Sequence, residues 1–439
     1  MRPDTGLNHK IWRVTWPMII ANISVPLLGI VDTAILGHLN SPSHLAAVAV
    51  SSTILAFLYW GFGFLRMGTT GLSAQAYGAN DHNELRLILG QAAIMGLGIG
   101  LAIVLLSPWL LNLGLWLIPP PSGTEELAAQ YSHIRIFSAP AVMLNFAIVG
   151  WLIGKQNTRQ AMWITVWTNV INIVLDLVFI LGLGMDSKGA ALATLIAEYS
   201  GCGLAIYLMI QQLKTTPGSL QRRQLWLAQS YNRLLHINSH LFIRTLALLA
   251  SFAFFTAQGA QQGDVMLSAN AILINLLLLT SFGLDSLAQT AETLTGDAMG
   301  QRNHTLFIKV CQYCGFWSLI VALGFTLIFY IAGEHIISLF TSLIDVKTLA
   351  ISFLPWVTAL PLISMWAYLL DGIFIGATKT KAMQNSMLLS AFFIYLPCWY
   401  ATQHWGNHGL WFAFLAFNAA RGLSLGWVFY RNNQQKAWH

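Results

Sequence analysis

Charge is what this sequence has least of. Only 9% of its 439 residues are Asp, Glu, Lys or Arg, against roughly a quarter in an ordinary soluble domain, and that scarcity excludes a water-soluble globule. Acids are rarer than bases, 16 against 22, so each acid inside an apolar run stands out. The four cysteines, Cys202, Cys311, Cys314 and Cys398, all lie within apolar segments, which excludes the disulfide framework of a small secreted domain. Cys311 and Cys314 form C-x-x-C with no second ligand pair nearby, so no metal site is expected. GxxxxGK[ST], HExxH and GxSxG are all missing, GLSAQ at 71–75 having the wrong last residue. The usual sequence handles for ATP hydrolysis, zinc proteolysis and a serine nucleophile are therefore absent, and any work must draw on an ion gradient. The net charge of +6 forms no basic stripe; it reads as membrane orientation rather than as a nucleic-acid surface.

What is present is apolar: 56% of the chain belongs to the hydrophobic set. A spanning helix takes about 20 such residues, and the long charge-free runs, broken by Pro, Gly, Asn and Ser at 38–44, 118–123, 182–189 and 403–409, predict twelve helices. Their expected limits are 10–37, 44–68, 84–114, 124–153, 160–182, 188–213, 231–258, 265–297, 304–332, 346–374, 380–402 and 408–430. The opening MRPDTGLNHKIWR is polar and no small-residue cleavage signature follows, so the first helix is expected to be retained. The longest polar stretch begins at Lys214, and the chain divides into an N-terminal bundle (1–213), a cytoplasmic linker (214–230) and a C-terminal bundle (231–439). Most loop cations, among them Lys10, Arg86, Lys155, Arg159, Arg222, Arg302, Lys379, Lys381, Arg431 and Lys436, fall on one side of this topology; Lys188 and Lys347 fall on the other. Both termini are then cytoplasmic.

The chain also repeats itself at a fixed offset of 222 residues. Leu45, Ala47, Ala49, Ile54, Gly61 and Gly78 match Leu267, Ala269, Ala271, Leu276, Gly283 and Gly300; Gly150, Gly154, Thr158 and Arg159 match Gly372, Gly376, Thr380 and Lys381. Six helices per half insert in the same orientation, an architecture used by transporters. The glycine pairs at 96/100, 150/154 and 372/376 read as close helix contacts.

An ionisable residue within a span is costly and marks a candidate site. Asp32 follows a charge-free run on the first helix, and Pro26, six residues earlier, removes a helix hydrogen bond and supplies a place to bend. On the fifth helix Thr165, Asn169, Asn172 and Asp176 share one face. Thr194 and Glu198 on the sixth helix and Asn145 on the fourth complete the group. Such residues either join helices by hydrogen bonds or carry an ion, since two buried carboxylates do not both stay ionised without a counter-ion. The offset does not reproduce them: Asp32 maps to Phe254 and Asp176 to Cys398. The second half has its own set, with Arg244 in need of a carboxylate among Asp285, Glu292 and Asp371, and Arg66 set against Asp285 as a gate across the cleft.

VPLLGIVDTAILGHL (25–39), GTTGLSAQAYGAND (68–81), TNVINIVLDLVFILGLGM (168–185) and GAALATLIAEY (189–199), with the six-plus-six repeat, together resemble the multidrug and toxic compound extrusion (MATE) family, in its DinF-like branch. The resemblance covers nearly the whole chain. It implies an all-α polytopic membrane protein, two pseudo-symmetric six-helix bundles in a V. It also implies an antiporter that exports organic, often cationic or amphipathic, compounds from a bacterial cell across its inner membrane by alternating access. The coupling group it implies is Asp32 and Asp176, with Asn172, Thr194 and, as a looser match, Asn145; helix one would bend at Pro26 on protonation. NorM-like members carry an acid on helix seven, where this chain has His236, His240 and Arg244, so a C-terminal sodium site of that kind is not expected. The proton is taken as the coupling ion ahead of sodium, which Asp32, Asn172 and Asp176 would hold. No cofactor, no nucleic acid and no enzymatic reaction is expected, and the protein is read as a monomer in contact with membrane lipid. A lipid-linked-precursor flippase of the same superfold is the alternative; it calls for several cleft cations, for which Arg66, Arg135 and Arg244 are the candidates. A membrane-embedded enzyme lacks a nucleophile and base pair.

Overall fold

The computed structural model describes residues 5–37, 42–220, 222–435 and 438, and every regular element among them is a helix. Eleven helical runs are long and apolar enough to cross a membrane. They are α1 (Thr5–Gly37), α2 (Ser43–Gly78), α3 (His82–Leu105), α4 (Glu125–Gly154), α5 (Thr158–Gly182), α6 (Asp186–Thr215), α7 (Ala228–Ala260), α8 (Asp264–Gly300), α9 (His304–Phe340), α10 (Ile344–Gly376) and, last in the chain, α12 (Asn407–Gln434). Between the last two, α11 spans 380–402 as an α start, Thr380–Leu388, a π turn, Leu389–Tyr395, and an α end, Leu396–Thr402. Its polar opening, TKAMQNS, accompanies its place outside those eleven. The break expected at 38–44 falls partly, at 38–41, outside the described residues, as does Lys436.

Among the helix limits that differ from the sequence reading, two have clear physical reasons. The third helix stops at Leu105, and a separate short helix, Ser107–Leu117, begins with Pro108 in its first turn, where the missing N–H costs nothing. The ninth continues past Gly333 to Phe340 because that glycine is a contact, not a stop: a Cβ there would lie 2.6 Å from Leu354. α1 runs unbroken through both Pro17 and Pro26, as spanning helices can when neighbours satisfy the freed carbonyls.

The chain forms two compact units, Trp16–Leu235 and Met1–Thr15 with His236–His439. The first turns of α1 thus belong with the second unit. There Lys10 pairs with Asp297 at 2.9 Å, Thr15 meets Thr290 at 2.8 Å, and Trp12 stands edge-on to Trp317. In the first unit Leu55, Ile136, Ala139, Met143 and Ala191 are central to the core; in the second the core runs through Phe255, Leu273, Phe329, Trp411 and Phe414.

The repeat is visible in the backbone of each unit. Asn80 and Arg302 both have φ of 54°, and Gln156 and Thr378 have 62° and 55°. Asp81 caps α3 through Glu84 N–H, and Asn303 caps α9 through Leu306 N–H. A Cβ on Gly150 would meet the Arg66 carbonyl at 2.6 Å, and one on Gly372 the Ala288 carbonyl at 2.2 Å. Each pair is separated by the same 222 residues. The helices approach as closely as these glycines allow.

Candidate functional site

In the first unit α1 and α5 are joined along a polar line. Asn169, one turn inside the α5 stripe, donates from Nδ2 to Ser24 Oγ at 2.8 Å, and Ser24 donates to the Ala21 carbonyl of its own helix. Farther along, Asp32 on α1 and Asp176 on α5 come within hydrogen-bonding reach of each other. Asp176 and Asn172 are buried, 2% and 1% exposed, and Asp32 and Asn145 are half-buried. One carboxyl or amide oxygen, Oδ1, of each of these four is buried without a hydrogen bond. Four oxygens left this way inside an apolar bundle are an unusual outlay.

Arg135 on α4 lies within electrostatic reach of both carboxylates. It pairs with Glu198 on α6 at 3.9 Å, reaches Ser138 Oγ at 2.5 Å and lies over the Tyr59 ring at 5.8 Å. The structure therefore brings Asp32 and Asp176 within reach of a cation that the sequence offered only as a phosphate ligand. Nothing in the spacing of α4 and α6 relates Arg135 to Glu198; the one available signal was that a buried Glu needs a partner. Thr194 stays within its own helix, donating to the Ala190 carbonyl at 2.9 Å. A π turn, Leu177–Gly182, begins directly after Asp176, and such turns recur at functional sites. Pro26 lies within α1 between Ser24 and Asp32.

In the second unit Arg244 finds its acid in Asp371, which also accepts from Arg421 at 2.9 Å. All three are buried. Arg421, on α12, is held by Asn418 at 3.3 Å and was not anticipated. Ser281 and Tyr368 hydroxyls meet at 2.5 Å, with Asp285 within electrostatic reach of Tyr368. Glu292 is buried on α8. Arg66 and Asp285 belong to different units. Among the described residues no cluster of His, Cys, Asp and Glu is arranged to hold a metal ion.

The MatE family profile matches the chain twice, at residues 17–178 and 241–400. DNA damage-inducible protein F of Escherichia coli (strain K12) is 40% identical over 437 residues, 99% of this chain and 94% of that protein. Multidrug resistance protein NorM of Vibrio vulnificus (strain YJ016) is 24% identical over 453 residues, covering 96% of each. A solved structure described as the outward-facing conformation of a multidrug resistance MATE family transporter of the MOP superfamily superposes with a TM-score of 0.89. It is 20% identical and covers 98% of this chain and 96% of its own.

Proposed function

The chain belongs to the MatE family, a family of transport proteins rather than enzymes, and from that premise we propose that it is a cation-coupled multidrug efflux antiporter. The reading places it in a bacterial inner membrane as a monomer with cytoplasmic termini, two six-helix halves (1–213 and 231–439) and the linker 214–230 between them. Its cargo would be small organic, often cationic or amphipathic, compounds. No cofactor takes part.

The observation that carries the mechanism is the meeting of Asp32 and Asp176 on helices whose other faces are apolar. Like charges this close resist joint ionisation, so the pair passes between a charged state and one neutralised from outside. Neutralisation removes the repulsion within the pair and lets one carboxyl donate to the other, which changes the tie between α1 and α5, and α1 has its weak point at Pro26, where one backbone bond is missing. A change there alters the affinity of the first half for substrate between inward and outward states, which any antiport cycle requires. Arg135, already engaged by Glu198, offsets part of the charge on the pair. Arg244 is likewise engaged by Asp371, so two of the three cations a flippase would need for a lipid pyrophosphate are taken.

Sodium is a second reading with its own support: Oδ1 of Asp32, Asn145, Asn172 and Asp176 are buried and accept no hydrogen bond, and oxygens of this kind suit a hard cation. Efflux of a fluorescent organic cation from proteoliposomes separates the two. An imposed pH gradient is expected to drive transport in the parent and, for Asp32→Asn, to drive it at least about a hundredfold less, a loss of the order seen when a positioned acid–base group is removed. A sodium gradient that drives transport alone favours the second reading, and an Asp32→Asn protein that still couples overturns both.

A further inference from the structure

Lys379 stands at the N-cap of α11, where it brings no side-chain acceptor to the first turn. At the matching place of the first unit Asn157 caps α5, its Oδ1 accepting from Gln160 N–H at 3.4 Å. The backbones agree, since the preceding residues, Thr378 and Gln156, share positive φ. Side-chain chemistry alone separates the two helix starts. A cation at an N-cap faces the positive end of the helix dipole, which is unfavourable unless an anion lies between them.

A cavity of about 600 Å³ opens at this place within the second unit. His236 and His240 of α7, Lys379, Thr380 and Lys381 at the start of α11, and Arg431 of α12 line it, with no Asp or Glu among the described lining residues. The lining is close-set: the two histidine rings are 4.4 Å apart, and His240 Nδ1 is 3.2 Å from Thr380 Oγ1. In the first unit the position matching His240 is Met18, which packs against Ile153 and Ala161. The same corner is closed by apolar contact in one unit and open and basic in the other.

We propose that this cavity binds a phosphate-bearing anion. Lysine and arginine supply charge-assisted donors, and the first two residues of α11, Thr380 and Lys381, supply backbone N–H groups ahead of the first bond of the turn, which Ala382 N–H makes to the Lys379 carbonyl. The exposed Trp427 forms one wall of the cavity and one wall of a neighbouring apolar groove between α9, α10 and α12. A phospholipid headgroup and a free phosphate are therefore the two sources of the same chemistry.

The test uses the purified full-length protein in detergent, with its thermal midpoint read by tryptophan fluorescence. Phosphatidylglycerol, phosphatidylcholine and inorganic phosphate are added separately. Phosphatidylglycerol is expected to raise the midpoint and phosphatidylcholine not to; a rise with inorganic phosphate as well assigns the site to free phosphate, and its absence assigns it to lipid. Lys379→Gln/Lys381→Gln is expected to lose more than half of the shift, while Arg159→Gln, the matching position of the first unit, keeps it. Lys379→Asn supplies the missing cap, so it is expected to raise the midpoint without ligand and to weaken the response to ligand. If no phosphate compound shifts the parent, or if the lysine variants respond as the parent does, the cavity is not an anion site.

Discussion

Where the first unit keeps Asp32 and Asp176, the second has Phe254 and Cys398. Phe254 stands edge-on to Tyr395 and Trp399 at 5.5 and 5.1 Å, and Cys398 packs against the same core. The reverse holds for the buried ions of the second unit: Asp371, Arg244 and Arg421 correspond to Val149, Asn22 and Tyr199. Yet the left-handed residues, the asparagine and aspartate caps and the glycine contacts recur at one offset. The two units thus share whatever the backbone needs to turn and to approach. They differ where a polar group needs only a side chain to hold it. Buried polar and ionic groups can therefore differ between the halves of a duplicated frame while its turns and close helix contacts are kept.

The sharpest way to break this comparison is to truncate the side chain at one matching place in each unit, ionic in the second and apolar in the first. Asp371→Ala leaves Arg244 and Arg421 buried beside one another, and losing one partner of a buried ion group costs about 3–5 kcal/mol. The variant is expected to show a large fall in thermal midpoint and in folded yield. Val149→Ala, at the matching position, removes two methyl groups and is expected to cost under about 2 kcal/mol. Equal losses would mean that the second unit does not depend on its ion cluster. The shared frame is tested by Gly150→Val and Gly372→Val, whose side chains would collide with the carbonyls of Arg66 and Ala288. Overpacking of this kind costs about 1–3 kcal/mol, more at Gly372, where the approach is closer. A neutral result at either glycine would separate the two backbones.

Much of this was legible in the sequence, and the remainder has identifiable reasons for escaping it. Helices were readable because charge-free runs and turn residues alternate, and Asp32 and Asp176 because each interrupts such a run. The α5 stripe followed from spacing alone, and Asn169 does meet α1 through Ser24. Arg421 lies inside the expected helix 408–430 but was missed because a lone arginine in NAARGL names no partner; it is 4% exposed and bound to Asp371. The counter-ion role of Arg135 rests on the docking of α4 against α6, which no local pattern encodes. The π turns in α5 and α11 depend on register shifts within a helix, and the composition of those segments does not announce them. Nor did any feature of α1 foretell that its first turns pack with the second unit through Lys10 and Trp12; that too is tertiary.

Smaller effects are expected where the two units end their helices differently. Asn157→Ala removes the α5 cap and is expected to cost about 1 kcal/mol, read as a lower midpoint, whereas Lys379→Ala removes no cap and is expected to leave stability unchanged or to raise it. Loss of stability at Lys379 would overturn the claim that the second unit lacks a self-cap there.

The smallest difference concerns Lys155, whose counterpart is Ala377. Its Nζ donates to Gln212 Oε1 at 3.1 Å and to Thr216 Oγ1 at 2.7 Å and lies 4.6 Å from the centre of the Trp151 ring. Those contacts favour the ammonium, but burial and the nearby Arg86 outweigh them and lower its pKa to about 8. Arg86 is itself fixed by the carbonyls of Leu213 and Thr216 at the end of α6, so it cannot move away. Between pH 8 and the ordinary lysine range near 10.5, the unfolded chain holds a proton at this position that the folded chain has released. Stability therefore rises with pH across that window. The midpoint of the parent minus that of Lys155→Met is expected to increase from pH 8 upward and to be flat below it. A difference that falls over the same window would mean that the hydrogen bonds and the Trp151 ring hold the charge against burial, and that this lysine, unlike Ala377, serves as a fixed cation at the membrane end of its unit.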